Sequence, residues 1–220
     1  MDFLCMYRTR LVAVTLVLFL SNVLAFAQET WIERKKSNGI TVFSKKRPND
    51  KYQELRVETI VDGKVSQVLA AVTDVNHHDD WVYKALNTKI IRKLKPGEFY
   101  YYTQIDAPWP FENRDLVLHM KVEYDAASGV AIIHTNNIDN ILEPVPEVVR
   151  LTYSRGHWTF TPQAGNKVKI EYEILVDTGI GLPSWLINMF VATAPYETFK
   201  NLKTWMKAPK YVNARIPLLQ

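Results

Sequence analysis

The sequence predicts an α+β fold in which a curved antiparallel β-sheet wraps around a long C-terminal α-helix, and three observations carry this reading. Two segments alternate strictly between apolar and polar residues, as half-buried strands do. Turn signals at Pro96-Gly97, Ser128-Gly129 and Gly165-Asn166 space residues 85–179 like an antiparallel meander. The chain closes on "PSWLINMFVATAPYETFKNLKTWMK", a segment with an apolar stripe at helical steps.

The first 27 residues stand apart from this fold. Arg8 and Arg10 precede the apolar run "LVAVTLVLFLSNVLAF", which ends in Ala25-Phe26-Ala27. That order of basic, apolar and small residues marks a secretory signal peptide. Cleavage is expected after Ala27, giving an exported protein, periplasmic or secreted. An uncleaved membrane anchor is the alternative, although the run falls short of the roughly 20 residues that span a bilayer comfortably. Cleavage removes Cys5, the only cysteine, and with it disulfide or thiolate chemistry. Removing Asp2, Arg8 and Arg10 as well leaves 25 basic and 22 acidic residues, a net charge of +3. A bias this mild, without a long basic run, does not point to nucleic acid. Residues 28–210 suffice for one domain with a full core, followed by a tail at 211–220, and no internal repeat or low-complexity linker divides them.

Taken in order, "ETWIERKKSNGI" reads as a short amphipathic helix stopped by Asn38-Gly39. Two strands, "ITVFSKKR" and "YQELRVETIV", follow on either side of the turn-forming Pro48-Asn49-Asp50. Val65, Val68, Leu69 and Val72 recur at three- and four-residue steps, one face of a helix that ends near "DVNHHDDW". In "RDLVLHMKVEY" the residues Leu116, Leu118, Met120, Val122 and Tyr124 share a face, opposite His119, Lys121 and Glu123. In "KVKIEYEILVD" Val168, Ile170, Tyr172, Ile174 and Val176 lie opposite Lys169, Glu171, Glu173 and Asp177. One side of the sheet is therefore expected to meet water. The final helix begins at Pro183, a favoured first-turn position, and its predicted stripe is Trp185, Met189, Ala192, Tyr196, Phe199, Leu202 and Met206. Leu186, Ile187, Phe190 and Val191 lie off that stripe and need cover from another element or a membrane. Pro195 removes a backbone hydrogen bond and is expected to kink the segment.

This element order, together with "PFENRDLV", the Asp74–Trp81 segment and "GIGLPSWLINMF", resembles the START family of lipid-transfer domains over essentially the whole mature chain. "PFENRDLV" is similar to the family's Arg-Asp stretch opening a central strand, and "GIGLPSWLINMF" to the loop and start of its lid helix. The resemblance implies a helix-grip (START/Bet v 1-like) fold with a hydrophobic tunnel between sheet and final helix that holds one lipid molecule. The absence of the family's larger insertions and accessory domains resembles an exported bacterial member.

On that basis the tunnel is expected to be lined by Leu116, Leu118, Met120 and Val122 of one strand and by Ile170, Tyr172 and Ile174 of another. Trp185, Met189 and Tyr196 are expected to line it from the helix. Arg114 shares its face with Leu116, and a buried guanidinium needs a partner. Either it hooks the carboxylate or phosphate of a lipid head, or it pairs internally with Asp106 or Asp177. Asp115 is expected to face outward. Trp109 and Phe111, in a proline-flanked loop, are expected at the tunnel mouth where aromatic rings can enter a membrane interface. Capping of the sheet edge is the alternative. Gly179, Gly181 and Leu182 would form another part of the mouth, the glycines permitting the lid helix to shift.

"HHDD", His77 to Asp80, reads as a solvated loop and not a metal site, because adjacent side chains do not easily converge on one ion. No cofactor is implied. The expectation is a non-enzymatic, monomeric lipid-binding module in transient contact with membranes, which shuttles or senses its ligand. Two alternatives remain: a helix-grip enzyme such as a cyclase or hydrolase, using Arg114 with an acid partner and an inward His157, or an interaction module with a collapsed tunnel.

Overall fold

A computed structural model describes residues 31–46, 52–177 and 182–216. The predicted signal peptide, the Pro48-Asn49-Asp50 turn, Gly179 and Gly181 lie outside the described residues. The chain begins with strands β1 (Ile32–Ser37), β2 (Ile40–Lys46) and β3 (Tyr52–Asp62), then helices α1 (Val65–Thr73) and α2 (His78–Trp81) joined by a 3₁₀ turn. Strands β4 (Ala85–Lys95), β5 (Glu98–Ile105), β6 (Asn113–Tyr124), β7 (Ala131–Asn137), β8 (Val148–Arg150), β9 (Ser154–Gln163) and β10 (Lys167–Asp177) follow. The last segment contains α3 (Ser184–Asn188), a π-helical turn at Met189–Thr193, α4 (Ala194–Trp205) and α5 (Pro209–Val212). The strands form one sheet in the order β1-β2-β3-β10-β9-β7-β6-β5-β4, with β8 beside β6. This is the α+β helix-grip arrangement, with the C-terminal helices packed on the sheet.

The predicted N-terminal helix is instead β1. Asn38 and Gly39 have φ of 52° and 66°, and Ser37 pairs directly with Ile40. Two successive positive φ values make a tight hairpin loop. Ile32–Ser37 is a largely exposed edge strand with no apolar stripe of either period, so the turn chemistry decides its structure. The hairpin is tied to α4, where Asn38 donates to the Tyr196 hydroxyl at 2.7 Å and the Lys203 ammonium donates to the Asn38 carbonyl at 2.9 Å.

The alternation of β6 and β10 holds, and both apolar faces turn toward the helices. On β6, however, the opposite face is not all wet: Asp115 and Val117 are also buried. The segment after β7 crosses that face and returns as β8, parallel to β6, with Asn113 beside Val148. The meander is interrupted there. Val65, Val68, Leu69 and Val72 bury one face of α1. Gln67 donates to the Met206 carbonyl at 2.8 Å, satisfying a group that the end of α4 leaves open. Gly63 precedes α1 with φ 138°, and a Cβ there would lie 2.6 Å from the Gln67 side-chain oxygen, so this approach requires glycine.

At Pro195, where a kink is expected, the helical segment runs on without a break, with a π-helical turn at Met189–Thr193 just before it. The proline occupies the first turn of α4, where its missing N–H is tolerated, and the π turn precedes it. That wide turn rotates the phase, so a stripe counted at 3.6 residues per turn does not run through it. Packing continues beyond residue 210: Tyr211, assigned above to a tail, is 3% exposed and its hydroxyl donates to Asp74 at 2.8 Å.

Candidate ligand cavity

Between the sheet and the helices lies a cavity of ≈ 250 Å³, more than an order of magnitude above the roughly 10–15 Å³ that one water requires. A collapsed interior does not describe this molecule. β6 supplies Arg114, Leu116, Leu118 and Met120 to the wall; β10 supplies Tyr172, Ile174 and Val176. Phe190, Val191, Ala194, Pro195, Thr198 and Phe199 roof it. The indole of Trp158 stacks on the Tyr172 ring at 4.1 Å and on Phe199 at 5.2 Å, joining floor to roof.

Several expected lining residues lie elsewhere. Val122 and Ile170 are packed in the solid core, further along the same two strands than the cavity extends. Tyr196 is buried but turned to the first hairpin, with the Lys35 ammonium 3.7 Å from its ring centroid. Trp185 and Met189 are not among the lining residues, and Trp185 is 54% exposed. The π turn explains this substitution of faces: Phe190 and Val191, off the predicted stripe, take the inward positions.

Arg114 lines the cavity, is 8% exposed, and has no carboxylate partner among the described residues. Its Nη1 donates to the Glu112 carbonyl, and its Nε is buried without a partner. Burial lowers its pKa from the ordinary arginine value, while the nearby charge of Glu112 opposes the shift. Asp106 instead binds Lys84 at 2.5 Å, which raises the Lys84 pKa, and Asp177 is not among the contacts of Arg114. Asp115 faces away from the cavity, as parity requires, yet it is 0% exposed because Arg150 covers it at 2.6 Å.

Trp109, Phe111 and Leu182, expected at the tunnel mouth, are not among the residues that line the cavity. Trp109 is 91% exposed, and the Phe111 ring meets Trp185 edge-on at 5.9 Å. The loop before β6 thus touches the start of the lid helix, with Leu182 half-buried nearby in sequence.

The "HHDD" side chains diverge. His77 pairs with Asp80 at 3.1 Å, and Asp79 accepts from the Thr88 amide at 3.1 Å. His78, contrary to the solvated-loop expectation, is buried against the cavity, its Nε2 2.8 Å from the Val72 carbonyl oxygen. His157 is not inward: it meets His134 on the outer face of the sheet, Nδ1 to Nδ1 3.3 Å. Of the residues named for the enzyme alternative, Arg114 has no acid partner among the described residues and His157 faces outward, whereas His78 does line the cavity. Among the described residues no group of three or more side chains is arranged to hold a metal ion.

The START domain family matches residues 15–215, nearly the whole sequence. This chain belongs to the START family. An uncharacterized protein of Pseudomonas aeruginosa is 28% identical over 176 residues, 80% of this chain and 86% of that protein. The crystal structure of a STAR-related lipid transfer protein from Xanthomonas axonopodis superposes with a TM-score of 0.72 at 26% identity, covering 80% of this START domain protein and 98% of that chain. Human StAR-related lipid transfer protein 5 shares the fold, with a TM-score of 0.69 at 18% identity over 90% of this chain and 97% of that one. Membership in the START family supports lipid binding in general and a non-enzymatic role.

This START domain also uses wall residues that the sequence reading passed over: Tyr101, Thr103 and Ile105 of β5, Thr135 of β7, and Trp81. The β5 residues were detectable, because "FYYYTQI" places Phe99, Tyr101, Thr103 and Ile105 on one face of a strand. Trp81 and His78 carried no such signal, since a single short turn has no period.

Proposed function

We propose that this START domain encloses one amphiphilic lipid, with its anionic or phosphate-bearing head at Arg114 and its chain along Leu116, Leu118 and Met120. The carrying observation is the buried guanidinium without a carboxylate partner at the wall of a largely apolar cavity. A charge so placed is costly unless an opposite charge completes it, and arginine's planar fork suits carboxylate or phosphate. Enclosing each methylene contributes about 0.8 kcal/mol relative to water and nearly nothing relative to a bilayer, so the lipid exchanges in both directions. Trp109, Phe111 and Trp185 form the surface that touches the membrane during exchange, together with Leu182. The protein is an exported monomer, delivered to the periplasm or outside by its signal peptide, and it shuttles or senses the lipid there. No described helix is long and apolar enough to cross a membrane.

Native mass spectrometry of the full-length gene product recovered from an exported fraction tests this reading. A single lipid adduct with an acidic head, transferred to acceptor vesicles more slowly by Trp109→Ala, is expected. A protein that carries no adduct and takes up no anionic lipid from vesicles would overturn it.

A further inference from the structure

The polar atoms at the inner end of the cavity are the feature that an ordinary hydrocarbon tail does not explain. Among the buried tyrosines, Tyr102 accepts from Gln104 at 2.6 Å, Tyr196 accepts from Asn38 at 2.7 Å, and Tyr211 donates to Asp74 at 2.8 Å. Tyr101 is equally buried, yet its hydroxyl has no hydrogen-bond partner among the described residues. The same holds for Tyr172, whose remaining accessible surface accompanies its place in the cavity wall. Burial raises both phenols above the ordinary tyrosine pKa, and Tyr172 adds to the effect on Tyr101. Both are therefore neutral donors, and both line the same cavity.

Two further groups share this end. A Cβ built at Gly156 would lie 2.4 Å from the Thr135 hydroxyl oxygen and 3.5 Å from the Tyr172 hydroxyl. Those two hydroxyls flank one glycine, and the Thr135 hydroxyl takes the place that a side chain at position 156 would occupy. Trp81 lines the cavity with its indole N–H buried and unpartnered. It is linked to Tyr101 through the His78 ring, 5.2 Å from Trp81 and 6.1 Å from Tyr101.

Register sets the distance from Arg114. Thr135 pairs with Met120, and Tyr101 with Leu118. Arg114 lies six and four residues back along β6, and at about 3.4 Å per residue the polar end is about 14–20 Å from the Arg114 backbone along the strand. Leu116 and Leu118 line the wall between them.

We propose that Tyr101, Tyr172 and Thr135 form a second polar subsite, and that the ligand is a bipolar amphiphile bearing a hydroxyl or carbonyl oxygen far along its chain. This rests on the lipid-binding reading above and narrows its ligand class. An oxygen at that position accepts from the phenols, whose rings line the cavity, and replaces the hydrogen bonds to water that an entering chain displaces. A plain hydrocarbon tail leaves them unpaired.

The test compares hexadecanoate with its terminally hydroxylated analogue by isothermal titration of the full chain. The hydroxylated acid is expected to bind about tenfold more tightly, the effect of one well-made buried hydrogen bond. The Tyr101→Phe/Tyr172→Phe variant is expected to bind both acids alike, and its urea unfolding midpoint checks that the fold is intact. Thr135→Val provides a second variant, expected to reduce the preference. Equal affinities in the unmodified protein, or a preference that survives the double variant, would overturn the polar subsite and leave the lipid-binding reading standing. Binding of neither acid would overturn the reading of an anionic-head lipid, and this inference with it.

Discussion

Arg150 grips Asp115 through two hydrogen bonds, Nε to Oδ1 at 2.6 Å and Nη2 to Oδ2 at 3.0 Å, on the face of β6 opposite the cavity. Arg114, the preceding residue, is left facing the cavity without a carboxylate. The adjacent arginine and aspartate therefore do different work. Asp115 anchors β8 and the crossing segment, where Arg150 also donates to the Leu142 carbonyl at 3.0 Å, and Arg114 lines the cavity with its Nε unpartnered.

Asp115→Ala should lower stability by about 3 kcal/mol, because removing one partner leaves the Arg150 charge uncompensated at a largely buried site. Urea unfolding measures this directly. A loss under about 1 kcal/mol would show that the contact is no stronger than a surface pair.

Gly156→Ala should be destabilised by about 1–3 kcal/mol, the usual range for forcing extra atoms into packed space, since its Cβ would meet the Thr135 hydroxyl oxygen at 2.4 Å. Adding Thr135→Ala should recover most of the loss. A double-mutant cycle with no coupling would contradict the geometry.

Stability should fall with acidity partly through His78. Burial lowers its folded pKa, while the Val72 carbonyl, Asp74 and Asp79 oppose the shift, and the rings of Trp81 and Tyr101 stand edge-on to it. A histidine whose folded pKa is depressed binds its proton more readily when unfolded. Its contribution is therefore present above the unfolded value of about 6.5 and is lost as pH falls below it toward the folded value. His157 behaves alike, its pKa lowered by burial and by His134. Urea midpoints measured between about pH 5 and 8 should decline toward acid, less steeply in His78→Gln and least in His78→Gln/His157→Gln.

Trp109→Ala should leave the unfolding midpoint within about 0.5 kcal/mol of the parent, as for surface changes generally, given 91% exposure. Lipid transfer between vesicles should nevertheless slow. Unchanged transfer would remove this loop from the exchange surface.

The sheet and its inward face were legible because strand alternation reports a difference in environment between two faces, and on β6 and β10 that difference is strong. The first strand was hidden because Ile32–Ser37 is polar on both sides, leaving only Asn38-Gly39, a pair that ends helices as readily as it turns hairpins. The start of the roof was misassigned because the π turn at Met189–Thr193 shifts the phase there, so Trp185 and Met189 give way to Phe190 and Val191, while Tyr196, beyond the turn, is drawn to Asn38 of the first hairpin. Arg114 was placed inward by parity alone, but the fate of Asp115 depended on Arg150, 35 residues later in sequence, a pairing no local pattern encodes. Tyr101, Tyr172 and Thr135 sit on three strands that only the sheet order brings together.

Arg114→Met tests the central claim most directly, because it removes the charge and keeps the bulk of the side chain. If Arg114 is a ligand hook, lipid occupancy by native mass spectrometry falls at least tenfold while the urea midpoint stays level or rises, since an uncompensated buried charge has been replaced by an apolar group. Full lipid occupancy together with a large loss of stability would show that Arg114 holds the fold and not the lipid.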